Sequence, residues 1–164
     1  MSKPAAAPET ATPENTAPNF SLDRLFVKNL SLEVPNAPEA FLAQGTPDID
    51  VQLGTQARSL GNDFYECSLS VTVTARLPDE STLFLCEVTQ SGLFVLNNIP
   101  ETDLAPIMGV TCPNILFPFA REAIANTISR SGFPPVNLAP INFEALFEQQ
   151  QMEQLQAATP AGNA

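Results

Sequence analysis

The chain has 164 residues, a net charge of −11 and 44% hydrophobic residues. That length suits one domain with its own core, and the apolar share argues against a wholly disordered chain. The acid excess argues against nucleic acid and an anionic membrane surface as partners, because clustered Lys and Arg hold both; it permits a basic partner.

Residues 1–18 are mostly Ala, Pro, Thr and Glu, with almost nothing to bury. They read as a disordered N-terminal tail without the apolar segment of a secretory signal. Residues 19–150 then form the folded domain, and residues 151–164, rich in Gln and Ala, read as a flexible C-terminal tail.

Alternation starts at once. Phe20, Leu22, Phe26, Leu30, Leu32 and Val34 share one face, interrupted by Arg24 and Lys28, while Asp23, Asn29, Ser31 and Glu33 share the other. Period two predicts a strand with one buried face, twisted or bulged at this length. Pro35, Pro38, Gly45 and Pro47 break the pattern into a long loop that carries Phe41 and Leu42. Alternation resumes over residues 49–53.

The next strand is the most regular. Tyr65, Cys67, Leu69, Val71, Val73 and Ala75 point one way, and Glu66 through Arg76 at even positions the other. A turn at residues 77–81 predicts a hairpin return in which Phe84, Cys86 and Val88 face the core and Leu85 and Glu87 face outward. The sum is an antiparallel sheet of four strands with one apolar face.

Helices follow. Thr102 or Asp103 is a candidate cap for a short helix that Pro106 limits. Pro113 suits the first turn of a long helix, whose stripe is Leu116, Phe119, Ala120, Ala123, Ile124, Thr127 and Ile128, stopped by Gly132. Pro118 inside that run predicts either a kink or the true helix start, with Phe117 off the main stripe. Asn142 is the expected cap of a last helix with Phe143, Leu146 and Phe147 on one side.

Little here points to catalysis. There is no histidine, the commonest general base and metal ligand. Cys67, Cys86 and Cys112 have no metal spacing and no disulfide pattern, and two fall on core faces, so they read as structural thiols in a reducing compartment. No phosphate loop or nucleophile elbow occurs. No stretch approaches the ~18 apolar residues that span a bilayer, so membrane insertion is not expected. The chain reads as a non-enzyme with no cofactor and no metal. Its surplus of phenylalanines instead suggests a groove for apolar peptides, the alternative being a carrier of lipid or other small apolar molecules.

The stretches "FVKNLSLEVPNAP", "FLCEVTQSGLF", "CPNILFPFARE" and "GFPPVNLAPINFEALF" resemble the SecB protein-export chaperones, collinearly from Phe20 to Phe147. The resemblance implies an α+β fold: a four-stranded antiparallel sheet, then a long helix and a shorter C-terminal helix. It implies a homotetramer, a dimer of dimers, joined through the long-helix stripe Leu116, Phe119, Ala120, Ala123, Ile124 and Thr127. It implies a cytoplasmic holdase that uses no ATP, binds unfolded precursor proteins and passes them to the SecA motor. Candidates for client binding are Phe41, Leu42, Val51, Leu53, Phe117, Phe143 and Phe147; those for the SecA contact are Asn29, Glu33, Leu85 and Glu87. The chain departs from the family at Asn29, where Asp is common, and at Gly45, where Trp is common.

Overall fold

The alternation along the first half of the chain folds into four antiparallel strands: β1 (Asn19–Glu33), β2 (Asp48–Gly61), β3 (Phe64–Arg76) and β4 (Thr82–Asn97). The structure, a computed structural model, describes residues 13–159; the expected tails are therefore seen only over residues 13–18 and 151–159, and their outer parts lie outside the described residues. The strand order is β1-β4-β3-β2, so β1 and β2 are the two edges.

β1 is bulged twice against β4, between Leu22 and Arg24 and between Val27 and Asn29. Each bulge adds one residue and shifts the alternation by one. The first moves Phe26 opposite Ser91, onto the outer face, whereas Leu22 lies opposite Phe94 on the inner face. Phe26 thus does not share a face with Phe20 and Leu22 as period two alone predicts. Leu25 and Val27 take the inner positions instead, opposite Gly92 and Gln90.

β2 extends well beyond the expected residues 49–53 and turns into β3 through Asn62 and Asp63, both at positive φ. Two consecutive left-handed residues match the right-handed twist of a tight hairpin.

The core lies between the inner face of the sheet and one long helical stretch. Glu101–Pro106 (α1), a π-helical turn at Ile107–Thr111 and Cys112–Arg130 (α2) follow one another without a break. Pro113 lies in the first turn of α2, as expected, although the π turn runs into it without a break; Pro118 lies inside α2, so the helix does not begin there. Pro113 has no N–H for the Gly109 carbonyl, and the wider π turn immediately before it absorbs that mismatch. Neither Thr102 nor Asp103 caps α1; Pro100 precedes it, and the Asp103 amide donates to the Pro100 carbonyl at 2.9 Å.

α2 crosses β3 and β4 and buries Leu116, Ala120, Ala123, Ile124, Thr127 and Ile128 against them. Those positions recur at three- and four-residue intervals, one face of a helix. On the sheet, Cys67, Leu69, Val71, Val73, Ala75, Cys86, Val88 and Phe94 meet them, all essentially without solvent contact. Gly132, at φ 92°, ends the helix as expected. The last helix, α3 (Phe143–Ala158), is capped by Asn142, whose Oδ1 accepts from the Ala145 amide at 3.0 Å. It runs past Gln150 to Ala158, into the stretch expected to be a tail.

Candidate functional site: an apolar strip on an open sheet edge

β2 has a strand neighbour on one side only. Its inner-face residues Ile49, Val51 and Leu53 lie beyond the reach of α2 and stay exposed. Spaced two apart, they form a row about 13 Å long. Beside the row run the unpaired amides and carbonyls of the strand edge, a template for another extended chain.

α3 closes one end of the row. Leu53, Gly54 and Thr55 on β2, Gly109 in the π turn, and Phe143, Leu146, Phe147 and Gln150 on α3 enclose a cavity of about 270 Å³. A second hollow of about 550 Å³ lies between the α1 and π-turn face and α3, with Phe147 shared between the two. Gly109 makes this possible, since a Cβ there would collide with the Phe147 ring. Asp103, Glu144 and Glu148 rim the second hollow, so its edge is acidic.

The other end of the row is aromatic. Phe41 stacks on Phe133 with centroids 5.0 Å apart, and Phe133 leans on Phe84 at 5.4 Å. The loop is thereby held down, while Leu42 beside it is 82% exposed.

The structure sorts the predicted client-binding residues. Leu53, Phe143 and Phe147 meet at one cavity, and Val51 continues the row. Phe41 and Leu42 do not reach that cavity: the loop that carries them is anchored at the opposite, aromatic end. Phe117 is buried and meets Phe143 edge to face at 5.9 Å, so it supports the groove from behind instead of lining it. Gly109, Leu146 and Gln150 were missed. The only signal for Gly109 was a glycine inside a helical run, which costs about 1 kcal/mol against Ala unless packing requires it.

The predicted interface stripe faces mostly inward in the single chain. Leu116, Ala120, Ala123, Ile124 and Thr127 are buried against the chain's own sheet, Ala123 and Thr127 keeping slight exposure. A helix stripe alone does not distinguish its own sheet from a neighbour. Phe119 is the exception, at 46% exposed on the far side of α2.

On the outer face, Asn29 lies opposite Thr89, Ser31 opposite Glu87 and Glu33 opposite Leu85. Directly paired residues share a face. Asn29, Glu33, Leu85 and Glu87 are therefore brought together on two adjacent strands, on the side of the sheet away from the helices.

On the same face lies a carboxylate that the alternation of β3 points away from the core. Glu66 has a side chain only 7% exposed, with Lys28 Nζ and Arg58 Nε each donating to it at 2.6 Å. Those hydrogen bonds, from Lys28 first and then Arg58, hold its carboxyl below the ordinary carboxylate value. The three cysteines are free and buried. Burial, with the Glu87 charge adding, pushes the Cys86 thiol up to about 11, and contact with Cys67 together with burial raises Cys112 as well. Neither of these thiols is an activated nucleophile.

A two-layer α+β domain with an apolar groove on an unpaired edge, and a polar outer face, has the form of a surface that can pair with an extended polypeptide. The family model for preprotein translocase subunit SecB matches residues 13–154, and the chain belongs to the SecB family. It is 57% identical over 140 residues to the protein-export protein SecB of Chromobacterium violaceum, covering 85% of this chain and 93% of that one. It is 50% identical over 148 residues to that of Dechloromonas aromatica, covering 90% and 95%. Among solved structures, a SecB-like chaperone of Mycobacterium tuberculosis in complex with a ChAD peptide from an antitoxin matches with a TM-score of 0.63 at 14% identity, over 75% of this chain and 91% of that one; this shows a shared fold. Among the described residues, no helix is long and apolar enough to cross a membrane.

Proposed function

We propose that this protein is a non-enzymatic, ATP-independent holdase of the cytoplasm. It binds unfolded precursors of exported proteins and hands them to the SecA motor of the translocase. The observation that carries this reading is the row Ile49, Val51 and Leu53 lying open beside the unpaired edge of β2 and ending in the α3 cavity.

The chemistry of that row fits clients of many sequences. A backbone edge bonds any extended chain, and apolar pockets accept many side chains without precise polar matching. An unfolded precursor exposes such segments, and a native one does not. Binding the unfolded form opposes folding and aggregation by mass action.

The outer-face residues Asn29, Glu33, Leu85 and Glu87 are proposed as the SecA contact, since they form one patch on the side away from the client groove. The working assembly is proposed to be a homotetramer, a dimer of dimers. Phe119 on α2 and Leu22, Val27 and Leu30 on β1 are apolar and exposed in one chain, which supports a second copy covering them. Several grooves on one assembly raise the affinity for one long client through effective concentration.

The test is a refolding trial. A slow-folding, signal-bearing precursor is diluted from denaturant with and without one tetramer equivalent of protein, and its refolding is followed by fluorescence. Refolding is expected to slow or stop; an unchanged rate overturns the holdase reading.

A further inference from the structure

The outer face carries a second hollow that the client groove and the SecA patch do not use. It is about 480 Å³ in volume and open to solvent. Phe26, Leu60 and Leu93 form its apolar floor. Phe26 is there because the first β1 bulge turns it outward. Arg24, Lys28, Arg58 and Glu66 form its polar wall.

The charges there are unusual for this chain. It has seven Lys and Arg against eighteen Asp and Glu, yet three of the seven cations line this one hollow around a single carboxylate. Glu66 is already bonded to Lys28 and to Arg58 Nε. That bridge fixes two long side chains that would otherwise be mobile, and it leaves the terminal amino groups of Arg58 outside the bond to Glu66. Among the described residues, Arg24 has no carboxylate within ion-pair distance. Two guanidinium groups thus line an apolar hollow with positive charge in surplus, and guanidinium is the group that bonds a carboxylate through two parallel hydrogen bonds.

We propose that this hollow binds a short acidic segment of a partner protein, in which an aromatic residue is flanked by carboxylates. The ring would lie on Phe26, Leu60 and Leu93, and the carboxylates would pair with Arg24 and the free end of Arg58. Charge complementarity selects this occupant: a basic segment would meet three cations, and a neutral one would leave the guanidinium groups without partners. The open, shallow shape suits a peptide side chain with its neighbours more than an enclosed small molecule. The site does not depend on the holdase reading, because it lies on the opposite face from the groove and its test uses no unfolded client.

The experiment is fluorescence anisotropy of the full chain with a labelled, capped peptide containing Glu-Phe-Glu, against the same peptide with Lys-Phe-Lys and with Glu-Ala-Glu. The acidic aromatic peptide is expected to bind at least tenfold more tightly than either control, and binding is expected to weaken with added salt. Arg24→Glu, an exposed change outside the Glu66 bridge, is expected to lower affinity at least tenfold. Equal binding of the three peptides overturns the proposal whatever the variant does. So does an unchanged affinity in Arg24→Glu that keeps its wild-type circular dichroism.

Discussion

The ring of Phe147 fills the space that a side chain on Gly109 would occupy: a Cβ there would lie 2.7 Å from Phe147 Cε2. This close approach seats α3 on the π turn and shapes the cavity between α3 and β2. In an open helix, Gly109→Ala would add about 1 kcal/mol of stability. Here the methyl group meets the ring, and overpacking of this kind costs roughly 1–3 kcal/mol. Gly109→Ala is therefore expected to loosen α3 without unfolding the sheet. Hydrogen exchange should rise along residues 143–158 and stay unchanged in β3 and β4; unchanged protection of α3 would contradict the packing account.

The groove prediction concerns the row on β2. Leu53 is exposed, so Leu53→Gln is expected to cost under about 1 kcal/mol of stability. Its place at the mouth of the cavity makes it a contact for apolar client side chains, and the affinity for an unfolded precursor is expected to fall about tenfold, or about 1.4 kcal/mol. Calorimetric titration with a denatured precursor checks this. An equal loss from Ile141→Gln, at a half-buried position outside the cavity lining, would show a general rather than a local effect.

For the outer patch, Glu87→Lys reverses a charge directly opposite Ser31 on the face away from the groove. It is expected to weaken SecA binding at low salt and to leave client affinity unchanged. Titration of both partners against the variant is the measurement, and equal loss of both would remove the assignment of two faces to two partners. With Asn29 in place of the acid common in the family, Asn29→Asp is expected to tighten the SecA complex.

The Glu66 bridge gives a pH dependence with a defined sign. The two cations lower the folded-state value below the ordinary 4.5, so the folded form holds its proton less readily than the unfolded chain. The stabilisation is complete above the unfolded value and is lost as pH falls through the lowered folded one. Glu66→Gln is expected to be roughly 1–2 kcal/mol less stable than wild type near neutral pH, a modest figure because Lys28 and Arg58 are largely solvated. The difference should shrink on going below about pH 4. Urea midpoints across that range test it; a gap that widens in acid would contradict the sign.

At the β3–β4 turn, Glu80 is left-handed at φ 67°, a region that costs a side-chain-bearing residue about 1–2 kcal/mol. Glycine recovers most of that and loses some to chain entropy. Glu80→Gly is expected to raise stability by roughly 0.5–1 kcal/mol, read as a shift in urea midpoint with no change in slope.

The sheet was legible because burial on one face of β3 and β4 leaves a strict period of two, from Tyr65 to Ala75 and again through Phe84, Cys86 and Val88. β1 was harder. Its bulges at Asp23 and Lys28 each shift the period by one, and only the pairing partners Ser91 and Phe94 reveal that Phe26 and Leu22 face opposite ways. The cap at Asn142 was readable because capping is local chemistry. The junction of α1 with α2 through a π turn was not, because Pro106 reads as a stop, and neither was the passage of α2 through Pro118, a helix breaker that tertiary packing overrides. Core and groove phenylalanines share one residue type; Phe117 differs from Phe143 and Phe147 only in what stands around it, which no local pattern records.

Site-specific photocrosslinking tests the division of labour between the two faces most directly. A benzophenone residue is placed at Leu146, exposed at the groove, or at Leu85, on the outer patch, and each protein is irradiated with an unfolded precursor and, separately, with SecA. The account predicts that Leu146 crosslinks the precursor and Leu85 crosslinks SecA. Precursor captured at Leu85 and not at Leu146 would contradict it.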